Sequence, residues 1–302
     1  MGFNGLINVY KEKGYTSHDV VNILKGILKV KTGHTGTLDP QAQGVLPIVL
    51  GRSTKLADYI MAADKVYEAN IHFGIRTDTQ DLTGNILCDN RPAIVDMRDF
   101  TRVLEKFIGE ISQIPPMYSA IKIGGEKLYN LARKGIEVER KARKVNIYSI
   151  DILEYEGESA RIKVKCSKGT YIRTLCADIG EILGCGAAMG ELLRTVSGDF
   201  CIEDSIKLDD VKALVLEDKI ADYIIPPDET LKDYIKVYAS DESRRYIKNG
   251  NKIEQKYVRC EKWEAGNKYR LYIGKERFIG LYTLEDTGFL KPEVILINLD
   301  EV

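Results

Sequence analysis

The sequence has little from which to build a metal centre. Its 302 residues include three histidines (His18, His34 and His72) and six cysteines. No two cysteines form a C-x-x-C pair, and the histidines are not spaced with them as zinc ligands. Neither a metal nor a cofactor is expected. The cysteines (Cys88, Cys166, Cys176, Cys185, Cys201 and Cys260) read as reduced, mostly buried thiols of a cytoplasmic protein. Long apolar runs are also missing, and none approaches the roughly 20 residues of a membrane span. The N-terminal stretch MGFNGLINVYKEKG lacks the basic-then-apolar layout of a signal peptide. Leu6 stands where a myristoylation pattern needs Ser or Thr. Internal repeats and low-complexity tracts are absent.

What is present is ordinary for a folded chain: 44% hydrophobic and 29% charged residues. A chain of this length buries a core without covalent staples, and about two domains is a fair expectation. Net charge is only −1, so the chain is not globally basic. The charge is uneven, however. Lys122–Lys144 carries eight Lys/Arg against three Glu, while Glu203–Asp222 carries seven acids against three Lys. A basic stripe on a neutral chain fits a polyanion docked on one face; it equally fits a solvated, charge-rich connection.

Lys31–Gly51 reads KTGHTGTLDPQAQGVLPIVLG and contains a single carboxylate, Asp39. Gly and Thr crowd the approach to it, and Pro40 biases it toward extended backbone. A lone Asp before Pro is commonly a turn residue. Here the same pattern also suits a carboxylate presented at a loop tip.

Periodicity places the remaining elements. Leu6–Tyr10 reads as a strand, followed by a helix capped at Thr16 or Ser17, with Val20, Leu24, Ile27 and Leu28 on one face. Thr54–Ala62 reads as helical. Val66–Gly74 alternates, which turns Tyr67 inward with Ala69, Ile71 and Phe73. Ile94–Ile108 predicts an amphipathic helix with Met97, Phe100, Val103, Leu104, Phe107 and Ile108 inward, closed at Gly109. Leu128–Lys134 reads as a short helix and Val145–Glu154 as a strand. Arg161–Ser167 alternates with Ile162, Val164 and Cys166 inward. Lys168-Gly169-Thr170 then turns into a helix striped by Ile172, Leu175, Ile179 and Ile182. Tyr171 and Arg173 thus fall in the first turn of a helix entered directly from a strand. A cation there opposes the helix dipole, which favours a paired role for Arg173. Pro226-Pro227 reads as a linker. Beyond it, strands are expected at 235–238, 252–259, 269–274, 278–284 and 293–297, a spacing that suggests a small β-rich barrel.

Several motifs in this order resemble the bacterial TruB family, the tRNA uridine-55 pseudouridine synthases. The strongest is GHTGTLDPQAQGVLPIVLG (Gly33–Gly51), similar to the family's catalytic loop. TSHDVV (Thr16–Val21), Lys65–Tyr67, TDTQDLTG (Thr77–Gly84), QIPPMYSA (Gln113–Ala120) with Lys122, and KGTYIRTL (Lys168–Leu175) extend the resemblance over nearly the whole chain. One departure stands near the start: Glu12 follows Lys11 where the family usually has Lys-Pro, which is expected to loosen that loop.

The resemblance implies an α+β fold. A pseudouridine synthase catalytic domain with a mainly antiparallel central sheet would span 1–230, and a small β-barrel-like, PUA-type RNA-binding domain 231–302. It implies isomerisation of uridine-55 in the tRNA T-loop without cofactor or metal, by a cytoplasmic monomer that needs no protein partner. Asp39 matches the essential aspartate, which would attack the base at C6, attack the sugar at C1′, or stabilise charge on a glycal route. Arg173 would pair with Asp39 and lower its pKa. Tyr67 would stack on the uracil and act as acid or base. Tyr171 would line the same pocket, with Leu193 as a wall. His34 would fill the space left by the flipped base, whose extrusion costs a few kcal/mol. Lys122, Lys127, Arg133, Lys134, Arg140, Lys141, Arg143 and Lys144 would touch tRNA phosphates. Asp78 and Asp81 would repel phosphate, so they are expected to fix loop geometry or pair with a basic residue. Two rivals stay open: a tRNA-binding or tRNA-folding protein without catalysis, and a base-excising N-glycosidase.

Overall fold

The alternating segments assemble into one long sheet. A computed structural model describes residues 2–274 and 276–297. In chain order the first elements are β1 (Gly5–Lys11), α1 (Ser17–Leu28), β2 (Thr32–His34), β3 (Gln43–Leu50), α2 (Ala57–Met61) and β4 (Lys65–Phe73). A hairpin of β5 (Ile75–Thr77) and β6 (Ile86–Asp89) follows, then α3 (Met97–Glu105) and β7 (Gly109–Gln113). A second hairpin, β8 (Lys122–Ile123) and β9 (Glu126–Lys127), leads into α4 (Leu128–Arg133). Next come β10 (Arg143–Tyr155), β11 (Ser159–Cys166), α5 (Ile172–Ile182), β12 (Ala187–Ser197), β13 (Phe200–Cys201) and α6 (Leu208–Leu216).

The central sheet runs β1-β3-β12-β4-β11-β10-β7, with β2 added beside β3 and β13 beside β12. Its pairings are antiparallel except β3–β12, which is parallel at Leu193↔Gln43 and Arg194↔Gly44, so the sheet is mixed. The core lies where α1, α3 and α5 cover this sheet. Val20, Leu24 and Leu28 of α1, Phe100 and Val103 of α3, and Ile172, Leu175 and Ile179 of α5 meet Ile71, Phe73, Ile162 and Val164 there. Thr16 and Asp19 form a capping box on α1, which fixes where that helix begins.

The second sheet is built from β14 (Ile235–Ala239), β15 (Ile253–Glu254), β16 (Val258–Arg259), β17 (Lys268–Ile273), β18 (Arg277–Leu284) and β19 (Phe289–Ile295), with α7 (Arg244–Lys248) between β14 and β15. Its order, β15-β19-β18-β17-β14-β16, gives a nearly closed barrel. Residues 298–302 lie outside the described residues. An apolar cluster shared by both sheets, including Leu6, Val49, Leu56, Leu281 and Val294, joins the two halves.

The segment expected to be a linker is pinned. Ile225 pairs with Leu6 of β1, and Pro227–Leu231 forms a 3-10 turn. Buried Arg270 donates to the carbonyls of Asp228, Lys232 and Tyr234 at 3.0, 3.3 and 2.7 Å. Removing this guanidinium leaves three carbonyls without their donor. Arg270→Ala is therefore expected to cost about 2–4 kcal/mol of stability, measurable by urea unfolding.

Other boundaries also differ from the sequence reading. α3 starts only after its cap Asp96, and Met97 and Ile108 are exposed. The 54–62 segment is a 3-10 turn over Gly51–Leu56 followed by the short α2. β10 begins at Arg143, so two residues of the basic run belong to a strand. The 252–259 strand is broken by a turn at Gln255–Tyr257. Ile182 is exposed and Cys176 takes its place in the buried stripe of α5. Only Cys166 and Cys176 are fully buried; the other cysteines are half-buried thiols. No helix among the described residues is long and apolar enough to cross a membrane.

Candidate active site

The Asp39 loop is held at four points. Ser17, at the start of α1, donates to the Leu38 carbonyl at 3.1 Å and accepts from the Leu38 N–H at 2.8 Å. Thr35 N–H reaches the Pro47 carbonyl at 3.1 Å. Arg194 Nη2 donates to the Gly36 carbonyl at 3.1 Å. Lys11 Nζ donates to the carbonyls of Tyr15 at 2.6 Å and Pro40 at 3.3 Å. The buried Lys11 ammonium thus ties the loop before α1, where the family's proline is missing, to the Asp39 loop. Burial pushes the Lys11 pKa down to about 8, with the Asp39 charge opposing the shift.

Asp39 faces Arg173 across a cleft. Arg173 Nη2 lies 3.0 Å from Asp39 Oδ2 and donates to the Tyr118 carbonyl at 2.8 Å. Arg173 Nη1 donates to the Thr79 carbonyl at 3.1 Å and sits 3.6 Å from Asp81 Oδ2. One guanidinium, with only 6% of its side chain exposed, thus spans two carboxylates and two carbonyls. Asp81 also accepts from the Thr79 and Thr83 hydroxyls at 2.8 and 2.6 Å, and Asp78 accepts from Asn85 N–H at 2.8 Å. The TDTQDLTG carboxylates therefore shape a loop, and Asp81 pairs with a cation.

The Asp39 side chain keeps 40% of its surface open to the cleft, yet protein packs closely around it. Burial pushes its pKa above the ordinary carboxylate value, Arg173 and Lys11 pull it down, and Asp81 adds to the rise. The expectation that Arg173 lowers this pKa describes that arginine's own contribution; desolvation outweighs it.

Tyr67 is buried beneath the cleft and lines neither of its cavities. It is the cross-strand partner of Arg194, whose guanidinium charge acts on its hydroxyl. Burial raises the Tyr67 pKa and Arg194 opposes the rise; the Asp39 charge also reaches this hydroxyl. Arg194 is the residue the sequence reading missed. It is 1% exposed, has no carboxylate partner among the described residues, and donates from Nε to the Val45 carbonyl at 2.7 Å. A Cβ at Gly44 would lie 2.1 Å from the Arg194 carbonyl oxygen, so glycine is required for β3 to approach β12. The visible signal was a charged residue inside ELLRTVS (Glu191–Ser197), an otherwise strand-like run that was not read as a strand.

Strand register also corrects the wall residue. Leu192 lines a cavity of about 160 Å³ together with Asp39, Ala42 and Met189, whereas Leu193 lines neither cavity. Neighbours on a strand face opposite ways, so a one-residue error moves the side chain off the wall. Tyr171 is the N-cap of α5 and is half-buried. Buried Gln113 clamps its backbone: Nε2 donates to the Tyr171 carbonyl at 3.2 Å and Oε1 accepts its N–H at 3.0 Å.

His34 lines the larger cavity, about 820 Å³, with Asp39, Arg173, Tyr129 and Arg133. Its Nδ1 accepts from Gly36 N–H at 3.3 Å, which leaves the proton on Nε2. Burial lowers its pKa, helped by Arg194, His18 and Lys127, so the ring is neutral near pH 7. A neutral ring suits stacking better than phosphate binding.

The basic residues divide. Lys127 and Arg133 line the cleft. Lys134 is paired with Glu126 at 2.5 Å and Lys144 with Glu110 at 2.7 Å. Arg140 is engaged structurally, with Nη1 on the Pro115 carbonyl at 3.2 Å and Nη2 on Glu137 at 3.0 Å. Its guanidinium braces the Pro-Pro loop, which corrects its assignment as a phosphate contact. Lys122, Lys141 and Arg143 have no carboxylate partner among the described residues.

Comparison with known proteins shows the family of the chain. Residues 25–172 match the family model for the N-terminal domain of TruB family pseudouridylate synthases. Residues 173–232 match the model for the C-terminal domain of tRNA pseudouridylate synthase B. The junction falls at the first turn of α5, between Ile172 and Arg173. A tRNA pseudouridine synthase B of Clostridium tetani is 49% identical, over 95% of this chain and 97% of the relative. One from Clostridium perfringens is 43% identical, over 98% of this chain and 99% of the relative. Among solved structures, a Cbf5-Nop10-Gar1 complex contains a chain of 30% identity and TM-score 0.74, covering 98% of this chain and 86% of that one. An H/ACA RNP bound to a substrate RNA containing 2′-deoxyuridine gives a TM-score of 0.75 at 26% identity, covering 98% and 86%.

Proposed function

The chain belongs to the TruB family of pseudouridylate synthases, and from that premise we propose that it isomerises one tRNA uridine, at position 55 of the T-loop, with Asp39 as the acting carboxylate. The observation that carries this reading is the 3.0 Å pairing of Asp39 with Arg173 in a cleft open to solvent. The reaction is self-contained. The C1′–N1 bond breaks, the uracil turns, C1′ bonds to C5, the C5 proton leaves, and N1 gains a proton. The atoms required of the enzyme are those of a carboxylate, a proton carrier and a closed pocket. Arg173 keeps the Asp39 carboxylate oriented and favours its ionised form against the opposing effect of burial. Attack at C6, attack at C1′ and charge stabilisation on a glycal route all use that same oxygen.

Tyr67 is the group assigned to meet the uracil and act as acid or base, with the Arg194 guanidinium on the neighbouring strand beside it. Leu192 walls the base, neutral His34 stacks in the gap it leaves, and Tyr171, which lines neither cavity in the free protein, is assigned to the same pocket on the resemblance alone. The chain acts as a monomer in the cytoplasm, its second sheet adding RNA contacts. Nucleoside analysis of a tRNA transcript after incubation tests the activity. Pseudouridine retained in the RNA supports it; free uracil would instead identify a glycosidase, and unaltered uridine a protein that only binds.

Phosphate contacts differ in what they add. Lys127 and Arg133 have no carboxylate partners among the described residues, so each should release about one counterion on binding. Lys127→Ala and Arg133→Ala are each expected to reduce the slope of log K against log salt by about one. Lys134→Ala and Lys144→Ala, which free Glu126 and Glu110, should change the slope less. Binding titrations at several salt concentrations check both statements.

A further inference from the structure

The cleft that holds Asp39 has a second wall for which the chemistry above has no use. Its volume of about 820 Å³ is more than one uridine needs, and Tyr129 lines it along with Asp39 and Arg173. Leu128, fully buried, anchors α4 to the body of the protein. Tyr129, the next residue, lines this cleft and belongs to none of the apolar clusters among the described residues. Its ring is half-buried and faces cations instead. Lys127 Nζ lies 5.4 Å and Arg133 Cζ 5.6 Å from the ring centroid. Lys127 Nζ also contacts the Tyr129 hydroxyl at 3.4 Å. Neither cation has a carboxylate within ion-pair distance among the described residues, although Lys134, beside them, is tied to Glu126.

A surface tyrosine that merely covered its helix would not need two uncompensated cations. An aromatic face flanked by unpaired cations is the arrangement that binds unpaired nucleotides, with the ring stacking a base and the cations meeting its phosphates. The group also shares its cavity with the loop of Asp39, since His34, Leu38 and Asp39 line it too. We propose that Tyr129, with Lys127 and Arg133, is a stacking subsite for a second unpaired base of the RNA, the neighbour of the uridine that reaches Asp39. In the free protein the cations rest on the negative face of the ring. An arriving phosphate draws them off and clears that face for the base. Extrusion of one nucleotide pulls on its neighbour through the shared backbone, and stacking on Tyr129 offsets part of the lost base stacking. The subsite rests on the RNA-directed reading of the cleft given above and adds a second recognition element to it.

The test uses the full chain and a stem-loop RNA carrying the target uridine, with binding followed by fluorescence anisotropy. Tyr129→Ala is expected to weaken binding about 5- to 100-fold, and Tyr129→Phe to stay within about twofold of the native chain. Two further RNAs carry an abasic residue on the 5′ or the 3′ side of the uridine. With one of them the native chain should lose affinity to the same extent, and Tyr129→Ala should lose nothing more. The proposal is overturned if Tyr129→Ala binds like the native chain, if Tyr129→Phe is as weak as Tyr129→Ala, or if the Ala penalty persists in full on both abasic RNAs. Isomerisation by the native chain, measured separately, tests the activity; the binding comparisons are read without it.

Discussion

Asp39→Asn is expected to lower the rate of uridine isomerisation by about 10⁴-fold or more while RNA affinity stays within a few-fold of native. The scale is that of removing a group that reacts with substrate rather than one that only binds it. Asparagine keeps the shape of the side chain and can still meet Arg173 through its amide oxygen. It supplies neither the negative charge nor a nucleophilic oxygen. Affinity should survive because the proposed phosphate contacts, Lys127 and Arg133, are separate residues of the cleft. The fold survives as well. The raised pKa of Asp39 means that the folded protein holds its proton more tightly than the unfolded chain does. The ionised carboxylate therefore weakens the fold as pH rises from the unfolded value through the folded one. A neutral amide escapes that cost, so Asp39→Asn should melt no lower than the native chain at pH 7. A large fall in Tm would mean that the carboxylate holds the loop together, and its proposed role would have to change.

Arg173→Ala should be the second most damaging change, with turnover reduced by about 10²–10³-fold. It removes the counter-charge from both Asp39 and Asp81 and the donor from the Thr79 and Tyr118 carbonyls. Leaving partly buried carboxylates unpaired is costly, and some stability should be lost with the activity. The discriminating signature is in the pH profile. Arg173 is the largest of the influences that lower the Asp39 pKa, so its loss lets burial push that pKa still higher. If ionised Asp39 is the active form, the acid limb of kcat/KM must move to higher pH in Arg173→Ala. Arg173→Lys should recover part of the charge effect but not the geometry, because an ammonium cannot bridge both carboxylates and both carbonyls as a planar fork does. An acid limb that stays in place while turnover falls would show that Arg173 acts on the RNA and not on Asp39.

The sequence made Asp39 and Arg173 legible for different reasons. The Asp39 loop stood out by composition, but a lone Asp before Pro is commonly a turn residue, and the resemblance of Gly33–Gly51 to the family's catalytic loop decided its reading. Arg173 stood out because a cation in the first turn of a helix opposes the dipole and needs a partner to compensate. The strands of the core were legible wherever alternation was clean, as in Ser159–Cys166. Arg194 was not legible, because its partners are backbone carbonyls and a tyrosine hydroxyl brought in by other strands. Leu193 was taken as a wall residue from the resemblance alone, whereas Leu192 is the one that lines a cavity with Asp39, and two register shifts in β12 hide the alternation that would show which faces it. Arg140 looked like one more charge in a basic run, and only tertiary structure gives it the Pro115 carbonyl. The linker failed for a similar reason. Pro226-Pro227 does break regular structure, but Arg270, more than forty residues later, captures the carbonyls that follow.

Tritium release from a tRNA transcript labelled at C5 of its uridines tests the central claim most directly, because the C5 proton leaves only when C1′ bonds to that carbon. The native chain and Asp39→Asn are compared at protein concentrations that saturate the RNA, so that binding differences drop out. The account predicts release equivalent to one uridine per tRNA with the native chain and none above background with Asp39→Asn. Equal release from both proteins would contradict it.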